Sequence, residues 1–259
     1  MKTLTEMWGF FIKDHLRYVV LNCCEISRIF IKNNNMKKVL FLITILAFFA
    51  IGGKAQDLVV LKHTNYTTTF SKSMKFPVLV EWWDTKAKVG CASPMARKDQ
   101  FAPDPLAPLE TKIQADYDAA NQLHKAKGLK GFDRGHMCPA ADNLCQTPQV
   151  QSECFYFSNM APQYHALNAG DWKSLEVAER NWSITNDSVH VWCGNVGKAE
   201  IVGPDNMAIP AKCWKVVYIV KTKEWLAFLF DNVDGKQTGL ESHKVLVADI
   251  TKLTGFKFK

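Results

Sequence analysis

The chain has eight cysteines and no Cys-x-x-Cys pair, so the close ligand spacing of a structural zinc site is missing and disulfides are the better use for them. It has no internal repeat and no low-complexity tract, which sets aside solenoids and disordered arrays. It also lacks a comfortable membrane span: the apolar run from Val39 to Gly52 is 14 residues long, against the roughly 20 that a spanning helix needs. Finally, it has little net charge where that would matter. Residues 1–55 carry 8 of the 32 Lys/Arg and 3 of the 25 Asp/Glu, so the formal +7 of the whole chain falls to +2 beyond them. Bulk basicity therefore says nothing about nucleic acid, and any electrostatic footprint must come from local clusters such as Arg134, Lys173 and Arg180.

The short apolar run has another use. Met36-Lys37-Lys38 before it and Gly53-Lys54-Ala55 after it give the basic start, apolar middle and small-residue end of a signal peptide, cleaved before Gln56. Met36 then reads as the start, residues 1–35 as an upstream or non-native extension, and 36–55 as the signal peptide. Residues 56–259 form one domain, long enough for a sizeable core. A secreted or periplasmic address follows, with no stable membrane association after cleavage. Six cysteines remain there: Cys91, Cys138, Cys145, Cys154, Cys193 and Cys213. The oxidising compartment favours disulfides. Cys145–Cys154 and Cys193–Cys213 are the expected pairs, with Cys91 and Cys138 left paired or free.

Tyr66–Phe70 and Pro77–Asp84 read as strands from their β-branched and aromatic content. Trp82 and Trp83 suit core and rim better than a base-stacking platform. Residues 94–108 read as an irregular loop. Ile113, Tyr117, Ala120 and Leu123 make a helical stripe ended by Gly128 and Gly131, with His124 on its solvated side. Phe155–Met160 reads as a strand and Asn168–Trp182 as a helix with Trp172, Leu175, Val177 and Ala178 inward. Val189–Cys193, Cys213–Val220 and Trp225–Phe230 are further strands.

The chemistry concentrates in Gly131-Phe132-Asp133-Arg134-Gly135-His136-Met137-Cys138-Pro139. In an extended segment Arg134 and His136 project from one face. The guanidinium beside the imidazole disfavours imidazolium, keeping His136 ready to accept a proton, and it also matches phosphate geometry. Base plus phosphate clamp is an arrangement for phosphodiester cleavage. Asp133 is expected to orient Arg134 or nearby backbone.

Asp-Arg-Gly-His at 133–136, Ser-Asn-Met-Ala-Pro-Gln at 158–163 and Leu-Asn-x-Gly-x-Trp-x-x-Leu-Glu at 167–176 together resemble the DNA/RNA non-specific endonucleases, members of the ββα-metal or His-Me finger nucleases. The likeness runs from about Tyr66 to the C-terminus and thins between the blocks. It implies an α+β fold: a central antiparallel β-sheet flanked by helices, bearing a ββα-metal finger. It implies hydrolysis of DNA and RNA with little sequence preference, leaving 5′-phosphate ends, which suits contacts made mainly to phosphates. His136 would be the general base. Asn168 would be the metal ligand, a neutral hard oxygen suited to Mg²⁺, with Mn²⁺ or another divalent cation as substitute; its competing duty is helix capping. By the same likeness Glu176 would hold the metal's waters and Arg180 would stabilise the scissile phosphate or leaving group. Asn159 and Gln163 match positions around the site, aligning the substrate or the histidine's surroundings.

Two rivals differ in kind. One is a catalytically silent secreted nucleic-acid-binding protein on the same fold, against which His136, Asn168 and Glu176 all argue. The other is a hydrolase using a Cys138–His136 nucleophile pair, for which no third orienting group is in view.

Overall fold

The computed structural model describes residues 57–236 and 238–259; the expected extension and signal peptide lie outside them. Seven strands form one antiparallel sheet in the order β1-β2-β3-β6-β9-β10-β11. They are β1 (Leu58–Lys62), β2 (Tyr66–Ser71), β3 (Phe76–Thr85), β6 (Ser188–Val196), β9 (Lys212–Ile219), β10 (Glu224–Asp231) and β11 (Lys244–Val245). The central strands β6 and β9 are buried along almost their whole length, because both faces of the sheet are covered. Period two sorts their side chains. Val189, Val191, Cys193, Cys213, Val217 and Ile219 join Trp172 and Leu175 in a core on one face. Trp192, Trp214 and Val216 pack with Ile250, Phe256 and Phe258 on the other, under the helix α5 (Val247–Thr254).

Onto the first face docks a smaller unit. The hairpin β4 (Phe132–His136) and β5 (Met160–Tyr164) pairs antiparallel, His136 opposite Met160 and Arg134 opposite Pro162. The helix α4 (Lys173–Thr185) follows it after a π turn over Asn168–Trp172. Strand, strand and helix make the expected ββα finger on a large antiparallel sheet, an α+β fold. Further helices are α1 (Lys86–Val89), α2 (Gln114–Ala126) and α3 (Pro148–Glu153), and β7 (Glu200–Val202) pairs with β8 (Met207–Ile209). Among the described residues no helix is long and apolar enough to cross a membrane.

Several expectations are corrected. The finger's second strand starts at Met160, after a 3-10 turn over Phe157–Asn159; Asn159 bonds back to Cys138 and Cys154 and so holds that stretch turned. The stripe on α2 runs through His124, which is 2% exposed, while Leu123 is 41% exposed. His124 continues the row four residues past Ala120 and packs on Phe132. On α4, Val177 is exposed and Glu179 is buried instead, for a reason given below. Trp82 is core and Trp83 is rim, stacked on His190.

The disulfides also differ. The bond formed is Cys91–Cys145, while Cys138, Cys154, Cys193 and Cys213 are buried thiols. The β6–β9 register sets Cys193 against Lys215 and Cys213 against Asn195, so those two cysteines lie diagonally rather than opposite. Cys154 turns its thiol to the Gln151 carbonyl.

Candidate active site

Strand β4 sets Arg134 and His136 on one face, as alternation requires, and one ring reports it. Phe101 lies with its centroid 6.0 Å from that of His136 and 5.0 Å from the Arg134 guanidinium carbon. Phe101 belongs to the irregular loop over 94–108, which is stitched to the finger by hydrogen bonds between Ala102 and the backbone of Phe155 and Phe157. Arg134 is held flat between Phe101 and Tyr117, 4.0 Å from Asp118, with its Nε enclosed and without a partner.

His136 is 8% exposed and stands perpendicular to Phe155, 5.0 Å between centroids. Its Nε2 is enclosed with no hydrogen-bond partner. Burial, reinforced by the positive charge of Arg97, depresses the imidazole to about 3, so it is neutral at any physiological pH. The sequence pointed to Arg134 as the neighbouring cation; the one that bears on His136 is Arg97, from the loop, lying over Phe155 at 5.4 Å. Nothing near residue 97 spells a site. Only the folded loop brings it there.

Asn168 sits at the start of the π turn with ordinary helical backbone angles. Its Nδ2 donates to Asp133 Oδ2 at 2.8 Å, and Asp133 also meets His165 Nδ1 at 2.9 Å. Asp133 therefore orients the Asn168 amide, not the Arg134 guanidinium as expected. No capping bond comes from the Asn168 side chain, and the grip on its nitrogen leaves Oδ1 for another partner. That donor set fits a hard cation with few protein ligands and several waters. Among the described residues no group of three His, Cys, Asp or Glu is placed to hold a metal.

Glu176, in the first turn of α4, is half-buried. Burial, opposed by Lys215 and assisted by Asp142, pushes its carboxyl up to about 7. Arg180, one turn further, donates from Nη1 to Asp142 Oδ1 at 2.8 Å. Behind both lies a buried charge. Lys215 is fully buried in β9 and donates to the fully buried Glu179 at 2.9 Å, with its Nζ 4.5 Å from the Trp172 ring. This pairing turns Glu179 inward in place of Val177. The signal was present: period two makes Cys213, Lys215 and Val217 one row, with a lysine between two core positions.

Asn159 and Gln163 are not brought to the cleft. Asn159 is fully buried and bonds only to backbone: Oδ1 accepts from Cys138 N, and Nδ2 donates to the carbonyls of Cys138 and Cys154. It fixes the chain just past His136. Gln163, expected at the substrate, is fully buried and packs across Gly135 so closely that a Cβ there would fall 2.0 Å from its Oε1. Gly135 is glycine to admit Gln163. Cys138 is no nucleophile in this setting, because burial pushes its thiol far above the ordinary range. Trp172 Nε1 donates to the His136 carbonyl at 3.1 Å, tying the π turn to the end of β4.

Similarity to known proteins agrees with this geometry. The sequence profile described as DNA/RNA non-specific endonuclease matches residues 47–259. The "Nuclease" of Serratia marcescens is 32% identical over 216 residues, covering 78% of this chain and 75% of that protein. "Nuclease EXOG, mitochondrial" of Danio rerio is 30% identical over 217 residues, covering 76% of this chain. The chain spans 59% of that relative's length. Among solved structures, a chain of the EndoG/EndoGI complex superposes with a TM-score of 0.66 at 23% identity, over 77% of this chain and 84% of that one, which shows a shared fold. With the finger, the sheet and the profile in agreement, the chain belongs to the DNA/RNA non-specific endonuclease family.

Proposed function

We propose that this protein is a secreted, divalent-metal-dependent endonuclease that hydrolyses phosphodiester bonds in DNA and RNA with little sequence preference. The observation that carries the reading is a buried, neutral His136 flanked by arginines, on the same strand as the Asp133 that aims the Asn168 amide. With Nε2 enclosed, Nδ1 is the nitrogen left to take a proton from water as it attacks phosphorus. Arg134 and Arg97 bind non-bridging phosphate oxygens near the base. Arg180 stabilises charge on the phosphate or the departing oxygen. Asn168 would hold Mg²⁺ through Oδ1 and Glu176 would bind the ion's waters; the ion supplies electrostatic stabilisation of the leaving oxygen. Contacts of this kind read phosphate rather than base, which gives tolerance of sequence and sugar.

Secretion is inferred from the basic-apolar-small pattern over residues 36–55 and from a disulfide suited to an oxidising compartment. The test is cleavage of plasmid DNA and of RNA by residues 56–259, with Mg²⁺ or EDTA, beside His136→Ala. Degradation of both polymers, stopped by EDTA and nearly lost in the variant, is the expected result. Binding without cleavage under any divalent cation would leave a nucleic-acid-binding protein on a nuclease fold.

A further inference from the structure

Behind the cleft, Arg180 leads into a group of charges sealed from water. Its acceptor Asp142 is fully buried, on the 3-10 turn Ala140–Asn143 just past the His136 block. Asp84, near the end of β3, is fully buried too and accepts from Trp82 Nε1 on Oδ2 at 3.0 Å. The other oxygens, Asp84 Oδ1 and Asp142 Oδ2, have no donor, yet the two carboxyls lie within hydrogen-bonding reach of each other. Two adjacent buried carboxylates repel strongly and lose their hydration, so one of them keeps its proton. A proton between them satisfies both orphaned oxygens at once.

We infer that Asp84 and Asp142 hold one proton between them, with Asp84 as its donor, and act as a single-charge clamp that positions the Arg180 guanidinium at the cleft. The charges facing the pair support this. Arg180 and Lys215 already face the carboxyls of Asp142, Glu179 and Glu176, so an ionised Asp84 would add a negative charge with no cation of its own. Burial and the neighbouring Asp142 push Asp84 well above the carboxylate range. At Asp142 burial also raises, but Arg180 pulls the other way, which assigns the charge to Asp142. Asp84 and Asp142 are positioning residues: neither touches substrate, and their effect on the reaction runs through Arg180. The claim rests on the role proposed above for Arg180.

Two readouts on the full chain separate the pair from that role. The first needs no nucleic acid. With ¹³C-carboxyl aspartate incorporated, infrared spectra at neutral pH should show a protonated-acid band that shifts with the label, which excludes Glu176 and Glu179, and that is absent from the Asp84→Asn protein. The second is steady-state cleavage. Asp84→Asn keeps a donor toward Asp142 and should lower kcat by less than about fivefold, while Asp142→Asn should lower it by about tenfold or more with KM within about twofold. The double variant should lose about 100-fold, more than the product of the singles, because in Asp142→Asn alone Asp84 is free to take up the charge. An acid band that is missing from the labelled wild type, or that survives Asp84→Asn, overturns the shared proton even if no variant can be purified. Equal kcat losses in the two single variants overturn the clamp. An Arg180→Ala enzyme that cleaves like wild type, with the band in place, also overturns the clamp, through the role of Arg180 and not through the pair.

Discussion

Two groups of charge share helix α4 and are built on opposite rules. The cleft group, with Arg134, His136, Asn168 and Glu176, carries open valences: Arg134 Nε and His136 Nε2 have no partner, and the Asn168 oxygen is left for a ligand. The floor group pairs its ions: Lys215 with Glu179, and Arg180 with Asp142. The first is organised for something that arrives; the second holds the first still. Ion pairing in a core marks registry between elements, here α4 against β9 and the 3-10 turn, even where single oxygens of Asp142 and Glu179 stay unpartnered.

If that division holds, variants should separate by readout. The largest effect is expected from His136→Ala, about a 10²- to 10⁴-fold loss of kcat for a general base, with the urea midpoint preserved within experimental scatter. Lys215→Met should do the reverse. It strands Glu179 in the core and should cost about 3–5 kcal/mol in equilibrium unfolding, largely restored by adding Glu179→Leu. A Lys215→Met protein with full stability and no activity would collapse the distinction. Asn168→Ala should weaken Mg²⁺ binding about 10- to 100-fold by calorimetry, the range seen when a metal site loses a supporting group, while leaving stability nearly unchanged.

Protonation sharpens the contrast further. Glu176 at about 7 in the metal-free protein means that Mg²⁺ binding should weaken as pH falls through about 7. That dependence should vanish in Glu176→Gln, as read by calorimetry across pH. The stability sign is opposite for the two groups. Glu176 has a folded value above its unfolded one, so it favours folding at low pH and loses that contribution as pH rises from 4.5 to about 7. His136 is depressed from 6.5 to about 3, so the unfolded chain binds the proton first and stability falls as pH drops through that window. In His136→Ala the acid-side loss of Tm should shrink. That is the smallest of these effects.

The cleft was largely legible in the sequence because its residues sit in three short, contiguous blocks. Arg134, His136, Asn168, Glu176 and Arg180 all fall around one finger; individual strands were visible in β-branched runs, while their antiparallel arrangement came from the family likeness. Arg97 was not legible, since its only link to His136 is a loop folded over Phe155. Asp133 was misjudged because strand neighbours suggested Arg134, while the partner that matters comes from the π turn. Gln163 was placed at the substrate because motif position does not reveal which side of a strand faces the core. The cysteine pairing failed on register, which composition does not encode.

The Cys91–Cys145 bond has one more consequence, which is topological. It closes a covalent ring that contains Arg97, Phe101, Arg134, His136 and Asp142 and leaves out Asn168, Glu176 and Arg180. The exposed residues Arg97 to Gln100 lie on the ring's circumference. A protease cutting there would open the ring without releasing either fragment, and the nicked protein would run as one species until a reductant parted it into two. Strands β1 to β3 would stay covalently joined to the fragment that carries His136 and Asn168 after the chain itself had been cut.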